Sequence, residues 1–425
     1  MHTPLTQNDS AIARGIKCVG IGKRGSKSLE PSLIEDILAD LRSGKVPAIA
    51  QGAFFGALVI KGVSSDEMKL DEAFAPGTLG NPSRLAEALA GDAPDSVKTF
   101  CARLLQGDTL NVREAEDLGD FLFSDQTGEG ARGMAASILR VRYETVDEYE
   151  GLLRSMHKTL EAPFRIPIPK GPAIVQLAEP FDGVDHSNMI TPLIAQFIQR
   201  LNYRVVSHTG RNSGPKFGNN LLDLAKALRG RFLLSSSALA DEAPAYGWFV
   251  NQQNLSPPID QWVERRHQTI KRPFLSTLER FLNPFNAHIH ISSAFHPPYG
   301  EKMLTICERA GFPGSIIVRN GLEGTLAFPL TRPAKLLCSA RQADGTYKRT
   351  ELILRPEEFT DKPIKEDERL TDPSLSKNLE LIETYHKQGQ TSYALFDMRI
   401  KVTCAGFKKA IEWLEQNIRQ PSEKD

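Results

Sequence analysis

Residues 189–220 read MITPLIAQFIQRLNYRVVSHTGRNSGPKFGNN. The opening reads as a helix, RVVSH as a short buried strand, and the remainder as a glycine-bearing basic loop that leads into a further helix. Upstream, GPAIVQLA at 171–178 is an apolar run of strand length. Downstream, HIHISS at 288–293, a helix around GEKMLTICERAG and the strand GSIIVRNG continue the alternation. Strand–helix–strand units of this length predict an α/β fold with a mostly parallel sheet covered by helices. In such sheets ligands bind at the carboxyl ends of strands, so the loops after GPAIVQLA, RVVSH and SIIVRNG are the places to look for chemistry.

The front of the chain follows a different grammar. From Leu29 onward Leu33, Ile34, Ile37, Leu38 and Leu41 recur at helical spacing, and Ser43-Gly44 ends that helix. Pro47 then opens the apolar helix AIAQGAFFGALVIKG, and Ser64-Ser65-Asp66-Glu67 has the make-up of an N-cap with an acidic first turn. The same order recurs 81 positions later. Leu58 maps to Leu139, Lys61 to Arg142, Ser64 to Thr145 and Asp66-Glu67 to Asp147-Glu148. This correspondence predicts an N-terminal all-helical domain that is duplicated. The expected organisation is a first helical copy with linker at 1–98, a second copy at 99–166, and an α/β domain with C-terminal helices at 167–425.

The chain has 425 residues, 40% apolar and 24% charged, which suits globular domains with a large core. Lys+Arg and Asp+Glu are 52 each, so no global field draws the chain to nucleic acid. Cys18, Cys101, Cys307, Cys338 and Cys404 lie far apart with no C-x-x-C pair, a pattern of reduced intracellular thiols. The opening MHTPLTQNDS lacks an apolar signal core and no run of membrane-spanning length occurs, so a cytoplasmic protein without a membrane partner is expected.

The loop at 207–220 carries the richest set of candidates. His208 ends the strand, Arg211 and Lys216 bring positive charge, and Gly210, Gly218 and Asn219 allow close backbone approach before a helix N-terminus. The set reads either as a phosphate or carboxylate site or as a solvated basic turn. Asp182 and Asp185, in EPFDGVDHSN, suit a metal or a sugar hydroxyl but equally a plain turn. Glu323, just past a strand, is placed for a metal-bound carboxylate. The segment WVERRHQTIKRPF holds Arg265, Arg266, Lys271 and Arg272, which read as an anion clamp, a nucleic-acid stripe or a solvated helix face. His288, His290 and His296 lack a carboxylate at ligand spacing.

The order of these parts resembles the anthranilate phosphoribosyltransferase family, above all its divergent DNA-binding-type paralogues, over residues 15–70 and 100–425. IGKRGSKSL, RPFLSTLERFLNPF, SSAFHPPYGEKML and RNGLEG carry the likeness. The resemblance implies phosphorylated ribose as ligand, a cleft between helical and α/β domains as its site, Mg2+ as cofactor, and a homodimer formed through the N-terminal helices. It makes Ser207-His208-Thr209-Gly210-Arg211 the counterpart of the family's Lys-His-Gly-Asn-Arg, and Pro215-Lys216-Phe217-Gly218-Asn219 the counterpart of its Ser-Lys-Ser-Gly-Ser. It gives Arg266 the acceptor carboxylate, and Asp182 and Glu323 the metal.

Two family features are altered. The diphosphate loop Gly-Thr-Gly-Gly-Asp is Glu179-Pro180-Phe181-Asp182-Gly183, where a proline removes a donor and an aromatic ring fills space that glycine leaves open. The metal-binding Asp-Glu is Glu323-Gly324. The resemblance therefore implies a phosphoribosyltransferase-like protein with a degenerate diphosphate and metal site. Its divergent branch implies, as an alternative, a catalytically silent nucleic-acid binder using Lys23, Arg24, Lys27, Arg265, Arg266, Lys271 and Arg272.

Overall fold

The computed structural model describes residues 10–22, 25–212, 218–294, 297–359, 364 and 374–419. Among the described residues two compact units emerge: residues 10–158 with 261–278, and residues 159–212 with 218–260 and 279–419.

The first unit is helical: α1 Ala11–Val19, α2 Pro31–Arg42, α3 Ala48–Lys61, α4 Pro82–Ala90, α5 Asp95–Leu105, α6 Val112–Leu122, α7 Glu129–Arg142 and α8 Val146–Lys158. The starts follow local chemistry. Pro31 sits in the first turn of α2, and Asn111 and Glu114 form a reciprocal capping box on α6. The later helix Trp262–Thr269 belongs to this unit too, with the Trp262 indole donating to Leu122 O at 3.1 Å.

The 81-residue correspondence is written into the geometry. In the first copy Glu67 accepts from Leu29 N (2.9 Å), Ser64 N (2.8 Å) and Lys61 Nζ (2.7 Å). In the second, Glu148 accepts from Leu110 N (3.0 Å), Thr145 N (2.8 Å) and the Arg142 guanidinium. Both glutamates are completely buried. A buried carboxylate persists only where partners replace its water, and each copy supplies the same three.

The second unit is built on a seven-stranded sheet: β1 Ile174–Ala178, β2 Arg204–Thr209, β3 Trp248–Asn251, β4 Ile289–Ala294, β5 Gly314–Arg319, β6 Ala334–Arg341 and β7 Tyr347–Leu354, in the order β3-β2-β1-β4-β5-β6-β7. The first five strands run parallel, while β6 and β7 are antiparallel. Its helices include α9 Thr191–Gln199, α10 Leu221–Ala227, α11 Pro297–Arg309, α12 Leu375–Gln388 and α13 Ala394–Asn417. This is the α/β architecture with an N-terminal helical domain that the sequence predicts.

Side chains alternate across the strands. Val175, Leu177, Val205, Ile289, Ile291, Ile316 and Val318 share a core cluster with Ile194, Ile198, Ile382, Phe407 and Leu414 from α9, α12 and α13. The opposite face brings Gln176, His290, Ser315 and Ser339 into register, all buried. Among the described residues no helix is long and apolar enough to cross a membrane.

Candidate functional site

Strand order reverses direction between β1 and β4, since β2 and β3 continue to one side of β1 and β4 and β5 to the other. The carboxyl ends of strands beside such a switch point form a crevice that loops can line. Three loops meet there, all within the α/β unit. Val184 N donates to Asn219 O (2.9 Å), and Asn220 Nδ2 donates to both Phe181 O and Gly210 O (2.9 Å each), joining the loops after β1 and β2. The approach is tight enough that a Cβ at Gly218 would lie 2.3 Å from Val184 O, and one at Gly210 would lie 2.4 Å from the Phe181 ring. The loop after β5 closes the group through Glu323.

Glu323 adopts a left-handed conformation (φ 50°), which costs a non-glycine residue energy. That turn directs its carboxylate onto the loop after β1, where it accepts from Asp185 N (3.1 Å), His186 N (2.9 Å) and Ser187 Oγ (2.6 Å). These three donors of the loop are therefore held by a side chain of the protein. Glu179, at the end of β1, bridges the same loops. Its carboxylate accepts from Thr191 Oγ1 (2.9 Å) and Leu326 N (3.2 Å) at 2% exposure, and burial pushes its pKa up to about 6.

The cationic candidates are arranged differently from the sequence expectation. Arg211 donates through Nε to Asp260 Oδ2 (2.9 Å) and through Nη2 to Asp260 O (3.0 Å), so an internal carboxylate offsets its charge. His208 is buried edge-on to Phe285, and burial pushes its imidazole down to about 3, which leaves it neutral at pH 7. Lys216 lies outside the described residues, as do Lys23, Arg24 and His296. Arg266 is buried in the helical unit, and Arg265 is paired with Glu129 (2.9 Å). Asp182 is buried, and among the described residues no three His, Cys, Asp or Glu side chains come together as metal ligands. Glu323, the carboxylate the sequence placed for a metal, is instead engaged by the backbone and Ser187 of the loop after β1.

Two residues passed over at the sequence level stand out. Asn188, 2% exposed and just before α9, has neither amide atom hydrogen-bonded, and Gln252, 3% exposed and just after β3, is in the same state. A buried polar group left unmade costs about 1–3 kcal/mol, so each marks a place where something else can bond. In the sequence Asn188 directly precedes the apolar pair Met189-Ile190 that leads into a helix, and Gln252 follows Asn251 at the end of the apolar run Trp248-Phe249-Val250. Elsewhere, a cavity of about 270 Å3 in the helical unit is lined by Ile12, Ile16, Val46, Ala50, His267 and Ile270 among others.

Known proteins share this architecture. The anthranilate phosphoribosyltransferase of Thermus thermophilus superposes with a TM-score of 0.55 at 18% identity, covering 75% of this chain and 90% of that one. The fold is that of the anthranilate phosphoribosyltransferases. The Saccharomyces cerevisiae anthranilate phosphoribosyltransferase, solved in complex with PRPP and Mg, gives 0.56 at 13% identity over 76% of this chain and 90% of that one. In sequence, an uncharacterized protein of Aquifex aeolicus (strain VF5) is 22% identical over 274 residues, 64% of this chain and 81% of its own length. The anthranilate phosphoribosyltransferase of Persephonella marina (strain DSM 14350 / EX-H1) is 21% identical over 230 residues, 54% of this chain and just under two thirds, 66%, of that enzyme. No family model matches the chain. Likeness at these identities carries the anthranilate phosphoribosyltransferase fold, and the site's chemistry has to be argued from its own residues.

Proposed function

We propose that the α/β unit binds a phosphorylated ribose or nucleotide-like ligand at the carboxyl ends of β1 and β2, and that pentosyl transfer by this site is slow. The observation that carries the binding is Asn188: a buried donor and acceptor, both open, on the loop that follows β1. The fold adds support, because a structural neighbour was solved with PRPP and Mg. The slowness follows from the electrostatics. Transfer of this kind rests on preorganised charge around the reacting centre, where one lost donor costs roughly 3–4 kcal/mol. Here Glu323 takes the loop amides, Asp260 takes Arg211, and His208 is neutral.

Isothermal titration with phosphoribosyl diphosphate, with and without Mg2+, tests the reading. Binding is expected to weaken by about tenfold in Asn188→Leu, corresponding to one lost hydrogen-bonding group of about 1.4 kcal/mol. No heat at millimolar ligand would remove the proposal.

A second reading, nucleic-acid binding by the helical unit, is favoured by one observation. Burial pushes the Lys271 ammonium down, and the neighbouring charges of Arg140 and Lys17 push it the same way, so three cations are concentrated together. A gel shift that fades steeply with salt is the expected result if this cluster meets phosphates. Absence of any shift at low salt discards it.

A further inference from the structure

The 81-residue correspondence reaches beyond each copy to the way the two copies pack. α3 and α7 are equivalent along their whole length, since Ala48 maps to Glu129 and Lys61 to Arg142. They cross at glycines. A Cβ at Gly52 would stand 2.0 Å from Gly130 O, and a Cβ at Gly133 would stand 1.9 Å from Ile49 O. Under the offset, Gly133 is the counterpart of Gly52 and Gly130 is the counterpart of Ile49. One contact is therefore the other with the two copies exchanged.

Reciprocal contacts of this kind, where i meets j and j's counterpart meets i's, define an isologous two-fold interface. Such interfaces normally join two separate chains. Here the two halves are segments of one polypeptide, and the glycines at the crossing let the backbones approach as closely as they do. The buried glutamate anchors on either side, Glu67 with Lys61 and Glu148 with Arg142, obey the same symmetry.

We propose that the first helical copy is a built-in partner subunit. It closes, within one chain, a self-complementary face of α7 that would otherwise take a second copy of this protein. Covalent tethering gives the internal copy an effective concentration on the order of millimolar, so it outcompetes an external chain at micromolar concentration. This replaces the expected pairing of two chains through these helices.

Light scattering on the full chain tests the proposal. The wild type is expected at a single-chain mass of 47.0 kDa at micromolar concentration. Gly52→Leu places a side chain against the α7 backbone, loosens the first copy and leaves the α7 face intact, so its mass is expected to double. Adding Gly133→Leu spoils the face itself and is expected to return the mass to that of one chain. A wild-type dimer, or a folded Gly52→Leu that stays single with an unchanged melting temperature, overturns the proposal. Should Gly52→Leu fail to fold, Gly56→Leu serves the same purpose more gently, because a Cβ there would lie 3.1 Å from Met134 O. A single-chain mass for folded Gly56→Leu with unaltered melting overturns the proposal equally.

Discussion

Glu148→Ala is expected to destabilise the helical unit by about 3–5 kcal/mol, enough to leave it largely unfolded at modest urea concentration. The carboxylate is fully buried, and its removal strands the nearly buried Arg142 guanidinium together with the amides of Leu110 and Thr145. The cost is dominated by the uncompensated charge. Glu67→Ala should behave alike, because Lys61 and the amides of Leu29 and Ser64 are left in the same state. Burial pulls the Glu67 carboxyl upward, but Lys61 and the two amides outweigh it and hold it below its ordinary 4.5. A depressed folded value means that the stabilisation is complete above the unfolded value of 4.5 and is lost as pH falls through the lower folded value. Urea midpoints across that acid window should fall in the wild type and be flatter in Glu67→Ala. Equal midpoints for wild type and Glu148→Ala at neutral pH would refute the argument.

Glu179→Gln is expected to act in the opposite direction. Burial raises this carboxyl from 4.5 to about 6, against the hydrogen bonds from Thr191 and Leu326 and the charge of Arg280. A raised value means that stability is complete below 4.5 and is lost as pH rises through about 6. The ionised group therefore costs roughly 2 kcal/mol at pH above 7, and the neutral amide should recover most of it. Glutamine can still accept from Leu326 N, and its amide can donate to the Thr191 hydroxyl. Removing a negative charge at the end of β1 should also strengthen phosphate binding. The measurement is the difference in urea midpoint between variant and wild type at pH 7.5 and at pH 4. A difference that does not change with pH would sink the argument.

The alternation of strands and helices was legible because each element carries its own period: short β-branched runs such as RVVSH, and helical stripes such as Leu33, Ile37 and Leu41. The 81-residue correspondence was legible because caps and breaks recur at fixed spacing. The β6–β7 hairpin was passed over, although Asp344-Gly345 is a recognised hairpin dipeptide and Gly345 takes the positive φ such a turn needs (83°). The site was read least well, and the reason is physical. Arg211 is answered by Asp260, 49 positions on, and Glu323 finds its donors 136 to 138 positions back. Partners that distant are set by tertiary packing, so residue type alone showed where charge sits but not what cancels it. The neutrality of His208 belongs to the same class: its strand was evident, while the depth of burial that strips its proton was not.

Residues 261–278 complete the helical unit only after the chain has run through 99 residues of the other one. Trp262 and Phe274 pack with Phe123 in an edge-to-face group, so the amino-terminal helices emerge from the ribosome with a greasy notch unfilled. At translation speeds of about 5–20 residues per second, the missing piece arrives roughly 5–20 s later. During that interval Phe123 stands without its two aromatic partners, and the helical unit closes only once Trp262 and Phe274 have been made.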